Sequence, residues 1–505
     1  MKRMYRMVRV FTEGHDYYYE VADILANYCG RNEIEFIKEK VPAAGRSLFV
    51  HSMLRIHPDG VKVKCNITGE GRTVMKIDRF GPAGGDRLEI RKKYKRYVKH
   101  NLLRAAEEFS GKKLPWGILT GIRPVKMVHK LMDQGLGEEY IQRHLVDFYR
   151  LAPEKARLGL EIANIEREFI LPYDPERVSI YISIPFCPTR CSYCSFPSNE
   201  MVRWGGLADA YVECLMGEIQ AVSETMAEAG LGCDTVYIGG GTPTSLGLSQ
   251  LERLFISVDK AFIGPGTREY TVEAGRPDTL DGAKLGLLKE HGVTRISINP
   301  QSMNAATLER IGRKHTPQDI INAFELARKA GHENINMDLI MGLPGENEEM
   351  VANTLEHIGR LKPEGVTVHT LAIKRASRLH EEVTEADWVK EEEVKAMMQR
   401  TSNFLQAMGM TPYYLYRQKY MVGNLENIGF CMPGYQGIYN MQIMEEKQTI
   451  IALGAGAASK LVYLPEDRLE RKQNPKSLEH YLDRAKDIAE GWRETIFQLK
   501  EALRL

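Results

Sequence analysis

No stretch of this chain stays apolar for the roughly 18 residues that a membrane-spanning helix needs, so no integral membrane segment is expected. An excess of one charge is equally missing. The 68 Lys and Arg stand against 67 Asp and Glu, a net charge of +1. A neutral chain has no global field to draw it onto nucleic acid or an anionic surface, and no nucleic-acid partner is expected. Low-complexity tracts and fixed-period repeats are absent too. The opening residues Met1 to Arg6 carry no apolar h-region and no cleavage site. The expectation is a cytoplasmic chain whose eight cysteines stay reduced, without disulfides.

What is present is ordinary in bulk. A content of 43% hydrophobic and 27% charged residues is that of a globular protein. A length of 505 residues allows roughly two to four domains and a large core. Cys29, Cys65, Cys214, Cys233 and Cys431 are scattered singly and read as core or surface thiols. The other three cysteines are not scattered. Cys187, Cys191 and Cys194 are spaced C-x₃-C-x₂-C, just after a strand-like alternation from Val178 to Ile184 that stops at Pro185.

Three thiolates on a strand-end loop can hold three irons of a [4Fe–4S] cluster. A ferredoxin-type run supplies four cysteines and saturates the cluster. Here Phe196 sits two residues past the last cysteine and no fourth is near. One iron is then open to an outside ligand, as a catalytic zinc keeps one position free. The same three cysteines could be half of a structural zinc site. That needs a closed set of four N/S ligands, and no second pair with ligand spacing occurs. They could also be buried free thiols.

The spacing and its flank, Tyr-Ile-Ser-Ile-Pro-Phe-Cys at 181–187, resemble the radical S-adenosylmethionine (SAM) enzymes. Within them the chain is similar to the oxygen-independent coproporphyrinogen III oxidase-like family, including its HemZ-type coproporphyrinogen dehydrogenase-like members. The resemblance is most specific over 175–375 and weaker before 170.

The remaining chain supports an α/β reading. Residues 1–97 read as a small α/β module, with helical spacing over 17–28. Alternation over Ser47–His57 and Val61–Thr68, around Pro58-Asp59-Gly60, reads as a hairpin. The basic run at 87–104 reads as a solvated helix face. Residues 98–172 read as helical, interrupted near Pro115 and Pro124. From 173 to 380, strands at Val178–Ile184, Thr235–Ile238, Glu269–Glu273, Arg295–Asn299, Asn336–Ile340 and Val366–Leu371 alternate with helices near 207–229, 248–262, 280–291, 317–330 and 349–361. Strand–helix alternation gives a parallel sheet. Six units predict a partial (β/α)6 barrel, the radical SAM barrel of the resemblance. Residues 381–505 follow as a C-terminal oxidase-like region, expected to cover the substrate.

Ligands of such barrels gather at the C-terminal strand ends. The strand ends here carry the cysteine loop, Gly239-Gly240-Gly241-Thr242, Glu273, Gln301 with Arg313 beyond it, and Asp338. Singly, each has an ordinary reading: a turn, an ion pair, a cap. Their shared placement is what points to a ligand rim. The family resemblance implies SAM contacts on Tyr181, Tyr193, Gly240, Gly241, Thr242, Glu273, Gln301, Arg313 and Asp338. It implies a second SAM contact near Ala372.

The resemblance also implies the chemistry. Methionine groups of SAM bind the open iron, and an electron donor such as flavodoxin or ferredoxin reduces the cluster. The resulting 5′-deoxyadenosyl radical attacks a tetrapyrrole. The leading expectation is oxidative decarboxylation of coproporphyrinogen III to protoporphyrinogen IX. A haem-binding chaperone and an anaerobic haem-modifying or ring-opening enzyme are the alternatives. Phe196 stands where the oxidases have a fourth cysteine. The aromatic, basic stretch Pro412–Tyr420 reads as core or as a wall facing the flat ring. No residue is assigned as proton donor.

Overall fold

The structure is a computed structural model. It describes residues 7–39, 47–196, 198–372, 379, 388–418, 421–463 and 468–503. The chain divides into two compact units, Met1–Leu160 and Glu161–Leu505.

In the first unit, β1 (Met7–Glu13), β2 (Ile34–Phe36), β3 (Ser47–His57), β4 (Gly60–Gly69) and β5 (Arg72–Phe80) form one sheet in the order β2-β1-β3-β4-β5. The expected hairpin is β3–β4, closed by the His57–Gly60 pair. Helix α1 (Tyr18–Leu25) precedes β2, and α2 (Arg87–Ser110) follows β5. Asp86 caps α2 by accepting from the Glu89 N–H, and Gly111 ends it at φ 75°, a left-handed turn that glycine takes without a Cβ clash. α2 runs straight through the boundary expected at 97/98. Its apolar positions Val98, Leu102, Leu103, Ala105 and Ala106 are buried. Several of its cations are ion-paired, Arg91 with Asp16, Lys95 with Glu20 and Arg104 with Asp78. Helices α3 (Val125–Asp133), α4 (Glu138–Asp147) and α5 (Pro153–Ile170) follow, and the division between the units falls inside α5.

The second unit is built on β6 (Arg177–Ile184), with two short strands β7 (Phe186–Cys187) and β8 (Asn199–Glu200) and the single helical turn α6 (Met201–Trp204) after it. Then come α7 (Ala208–Ala229), β9 (Gly232–Gly240), α8 (Leu248–Phe262), β10 (Glu269–Glu273), α9 (Gly282–Glu290), β11 (Arg295–Ser297), α10 (Ala305–Arg310), α11 (Pro317–Lys329), β12 (Ile335–Met341), α12 (Glu348–Leu361) and β13 (Gly365–Thr370). The six expected strands are all present and pair in parallel, in sequence order from β6 to β13. They read as near-continuous apolar runs because helices cover them. Val178, Ile180, Ile182 and Ile184 of β6 are all fully buried, as are Val236 and Ile238 of β9. Local chemistry sets the helix starts. Thr316 and Asp319 form a reciprocal capping box with Pro317 at the first turn of α11.

The C-terminal region enlarges this sheet. After α13 (Glu391–Ala407) come β14 (Thr411–Tyr416), β15 (Asn427–Cys431), α14 (Ile438–Glu445), β16 (Ile450–Leu453), β17 (Ala458–Tyr463), β18 (Arg468–Gln473), α15 (Leu478–Asp483) and α16 (Ala485–Leu503). β15 adds antiparallel to β13 and carries β14, while β16 adds parallel to β6 and carries β17 and β18. The order is β14-β15-β13-β12-β11-β10-β9-β6-β16-β17-β18. A seventh parallel strand was not expected. β16 has four residues and runs into Gly454-Ala455-Gly456, too short for period or propensity to mark it.

Glu218 of α7 secures this addition. Its buried carboxylate accepts from the Gly454 N–H, Asn474 Nδ2, Tyr481 Oη and Trp492 Nε1 at 2.7–2.9 Å. Among the described residues no helix is long and apolar enough to cross a membrane.

Candidate functional site

The C-terminal ends of the parallel strands open into a cavity of about 360 Å³. Cys187, Cys191 and Cys194 all line it, and all three are free thiols. β6 delivers them: its strand stops at Pro185 and the loop turns through a Cys194 N–H to Cys191 carbonyl bond of 3.2 Å. Burial pushes the Cys187 thiol up to about 11, although Thr242 Oγ1 lies 3.6 Å from its sulfur. Cys194 is also raised, again chiefly by burial. Thiols so placed ionise when a cation joins them.

The glycine run makes room for them. A Cβ on Gly241 would sit 2.5 Å from the Phe186 carbonyl and 3.0 Å from Cys187 Sγ. Gly240 holds φ 111°, a conformation open to glycine alone at little cost. The Gly241 and Thr242 N–H groups donate to the carbonyls of Ile184 and Phe186, so the run is stitched to the cysteine loop. Gly240, Gly241 and Thr242 line the cavity.

Glu273, Gln301, Arg313 and Asp338 line the same cavity. Glu273 accepts a 2.6 Å bond from Tyr237 Oη. Asp338 accepts from Asn336 Nδ2 at 2.8 Å and lies 3.7 Å from His369 Nε2. Burial opposes its charge, but His369 and Asn336 hold the carboxyl below its usual range. Arg313 is 7% exposed and donates to the Asn299 carbonyl and to Tyr193 Oη, at 2.6 and 3.0 Å. Tyr193, between two of the cysteines, is thereby tied to the rim.

Gln301 sits at φ 65°, a left-handed backbone rare outside glycine. Its N–H donates to the Asp338 carbonyl, and its own carbonyl accepts from Ile340 N–H. That parallel bridge to β12 holds the strained residue in place. Ala372 also lines the cavity and bridges to Met421.

One sequence-predicted residue falls elsewhere. Tyr181 is not among the cavity-lining residues. Its ring lies 6.1 Å from Tyr237 and 6.2 Å from Tyr439, and those two rings stack at 4.5 Å. Tyr181 is level with Tyr237 on the neighbouring strand, and of the two only Tyr237 is among the cavity-lining residues.

The aromatic stretch divides. Tyr413 and Tyr414 are buried and join a core cluster with Ile170, Cys431, Ile438 and Met441. Tyr414 and Tyr416 also line the cavity. Lys419 and Tyr420 lie outside the described residues.

Sequence reasoning missed Arg276, Arg295, Asn299 and His369, which all line the cavity. His369 stands on the sixth strand, where the strand-end rule would have reached it. Arg276 lies three residues past Glu273, on the same kind of loop. Nothing local marks Arg295, because it opens β11 and its place in the interior is a matter of strand register.

The residues present suit a cluster and a polar ligand. Three free thiols converge beside a glycine that leaves no room for a side chain. Gln301 Oε1, Ser297 Oγ and Arg295 Nε are buried at the cavity without a hydrogen-bond partner among the described residues. Buried polar atoms ordinarily find partners, so these mark where a polar ligand's groups fit.

Residues 181–358 match the Radical SAM superfamily model. With the cysteine loop and the parallel barrel, this places the second unit among radical SAM domains. The chain is 39% identical to the oxygen-independent coproporphyrinogen-III oxidase-like protein HemZ of Bacillus subtilis, across 84% of this chain and 85% of that one. The protein belongs to the oxygen-independent coproporphyrinogen III oxidase-like family of radical SAM proteins. It is also 31% identical to the heme chaperone HemW of Lactococcus lactis, across 61% of this chain and 74% of that one. The solved coproporphyrinogen III oxidase HemN of Escherichia coli shares the fold, with a TM-score of 0.52 and 24% identity over 65% of this chain and 73% of that one.

Proposed function

We propose that this protein is a radical SAM enzyme acting on a tetrapyrrole, and that its reaction is oxidative decarboxylation of coproporphyrinogen III to protoporphyrinogen IX. The observation that carries the reading is the meeting of three free thiols and a polar rim in one cavity. Cys187, Cys191 and Cys194 would hold a [4Fe–4S] cluster. Tyr193, Gly240, Gly241, Thr242, Glu273, Gln301, Arg313 and Asp338 would bind SAM, with Ala372 beside them. When bound, these groups supply an electron and the carbon centre that accepts a hydrogen atom from substrate.

The chain's own residues orient and exclude. The Gly240–Gly241 backbone lets a ligand approach the cysteine loop closely. Glu273 and Asp338 offer carboxylates to a cationic amino acid group. Tyr414 and Tyr416 line the cavity with parallel rings 6.3 Å apart, an aromatic lining that suits a planar partner. Burial of the cavity strengthens each polar contact and keeps water from a reactive centre.

A second reading is a haem-carrying chaperone. Two observations favour it: Phe196, where the oxidases carry a fourth cysteine, is 61% exposed, and a heme chaperone is among the relatives. Anaerobic incubation with SAM, reductant and either coproporphyrinogen III or haem separates the two. The enzyme releases 5′-deoxyadenosine in step with tetrapyrrole conversion, read by mass spectrometry. Background deoxyadenosine with every tetrapyrrole, together with haem transfer to an acceptor, rejects the enzyme. A haem product of changed mass identifies a haem-modifying enzyme instead.

A further inference from the structure

Behind the cysteine loop lies a buried arginine with every N–H committed. Arg276 is 3% exposed. Its Nε and Nη2 donate to the two carboxylate oxygens of Asp278 at 2.8 and 2.7 Å. Nη2 also reaches Thr189 Oγ1 at 3.3 Å, and Nη1 reaches the Thr189 carbonyl at 3.5 Å. Nη1 lies 3.5 Å from Cys191 Sγ as well. Asp278 is backed in turn by His315, whose Nδ1 lies 3.8 Å from Oδ1.

We propose that Arg276 is a positioning residue that raises the reduction potential of the cluster through Cys191. The inference rests on the cluster assignment made above and goes beyond it to how this chain tunes the group. Cluster potentials follow net charge and hydrogen bonds to the sulfurs. A guanidinium at the sulfur favours the form carrying one more electron, so the oxidised cluster takes its electron from the donor more readily. Burial leaves that charge only weakly screened by solvent and salt. Asp278 holds the fork in place and partly offsets its charge. Arg313 is another cation near Cys191, but its Nη1 and Nη2 donate to backbone carbonyls and to Tyr193, not to a thiol.

The test is a dithionite titration of the reconstituted holoprotein, followed by electron paramagnetic resonance, with iron content measured in parallel. Arg276→Gln should lower the midpoint by about 59 mV, a tenfold shift of a one-electron equilibrium. Arg276→Lys, which keeps the charge, should stay near wild type. Asp278→Asn removes a negative charge and should move the midpoint upward.

The opposite signs of Arg276→Gln and Asp278→Asn are the signature. A merely mechanical clamp would be loosened by both, and both would shift the same way. A fully loaded Arg276→Gln cluster with an unchanged midpoint overturns the proposal, as does an Arg276→Lys shift as large as that of Gln. Should Arg276→Gln fail to assemble, Asp278→Asn decides: a rise supports the proposal, and a fall or no change overturns it. Failure of the wild-type protein to take up iron at all would reject the cluster itself, a separate outcome.

Discussion

The phenol of Tyr237 donates a 2.6 Å hydrogen bond to Oε1 of Glu273, and both side chains line the cavity. Burial lifts the Glu273 carboxyl to about 7 and the Asp338 charge adds to the rise, while the Tyr237 and Gly240 hydrogen bonds oppose it.

A pH dependence of stability follows. In the unfolded chain this carboxyl titrates near its ordinary value of 4.5. Between that value and about 7 the folded state binds more protons than the unfolded state, so stability falls as pH rises. The Glu273 contribution is fully present below 4.5 and is lost through about 7. Urea unfolding of wild type and Glu273→Gln at several pH values checks it, in protein free of SAM. The variant should gain on wild type between about pH 5 and 7.5. A gap that does not change with pH speaks against the shift.

Cys187→Ala, Cys191→Ala and Cys194→Ala should each lose the cluster, while alanine at Cys29, Cys65, Cys214, Cys233 or Cys431 should leave about four irons per chain. Gly241→Ala should weaken cluster binding without removing a ligand, because its Cβ would press on Phe186 O and Cys187 Sγ. Overpacking of this kind costs about 1–3 kcal/mol, which is roughly tenfold in cluster affinity. Iron and sulfide analysis after reconstitution reads both. A Gly241→Ala chain with full iron content would show that the loop has slack.

Asp338→Ala should weaken SAM binding without unfolding the chain. A lost hydrogen bond to a charged group costs roughly 1.5–3 kcal/mol, about tenfold or more in affinity. Anaerobic calorimetry measures it, with circular dichroism as the folding control. Equal affinity in wild type and variant would remove Asp338 from the site.

Glu218→Leu should be strongly destabilising for a different reason. It strands four buried donors, on Gly454, Asn474, Tyr481 and Trp492. Unsatisfied buried donors cost about 1–3 kcal/mol each, so a loss of about 3 kcal/mol or more is expected in denaturant unfolding. A loss below about 1 kcal/mol would show that the C-terminal strands do not depend on this hub.

By itself the sequence determined the cysteine loop and the order of the parallel core. Both are local signals: C-x₃-C-x₂-C is three residue types at short spacing, and Val178–Ile184 or Val366–Leu371 are apolar runs bounded by turns. The rim from Gly240 to Asp338 followed, since a parallel strand's C-terminal end is known once the strand is. Tertiary structure alone decided what depends on register and on distant chain. β16, four residues long, becomes a barrel strand only because β6 has an open edge for it. Tyr181 packs its ring near Tyr237 and Tyr439 and is not among the cavity-lining residues. Arg276 meets Cys191 across 85 residues, a contact no local pattern encodes. A short motif carries its own chemistry in its spacing, whereas a contact between loops exists only once hydrophobic burial has fixed the strands that carry them.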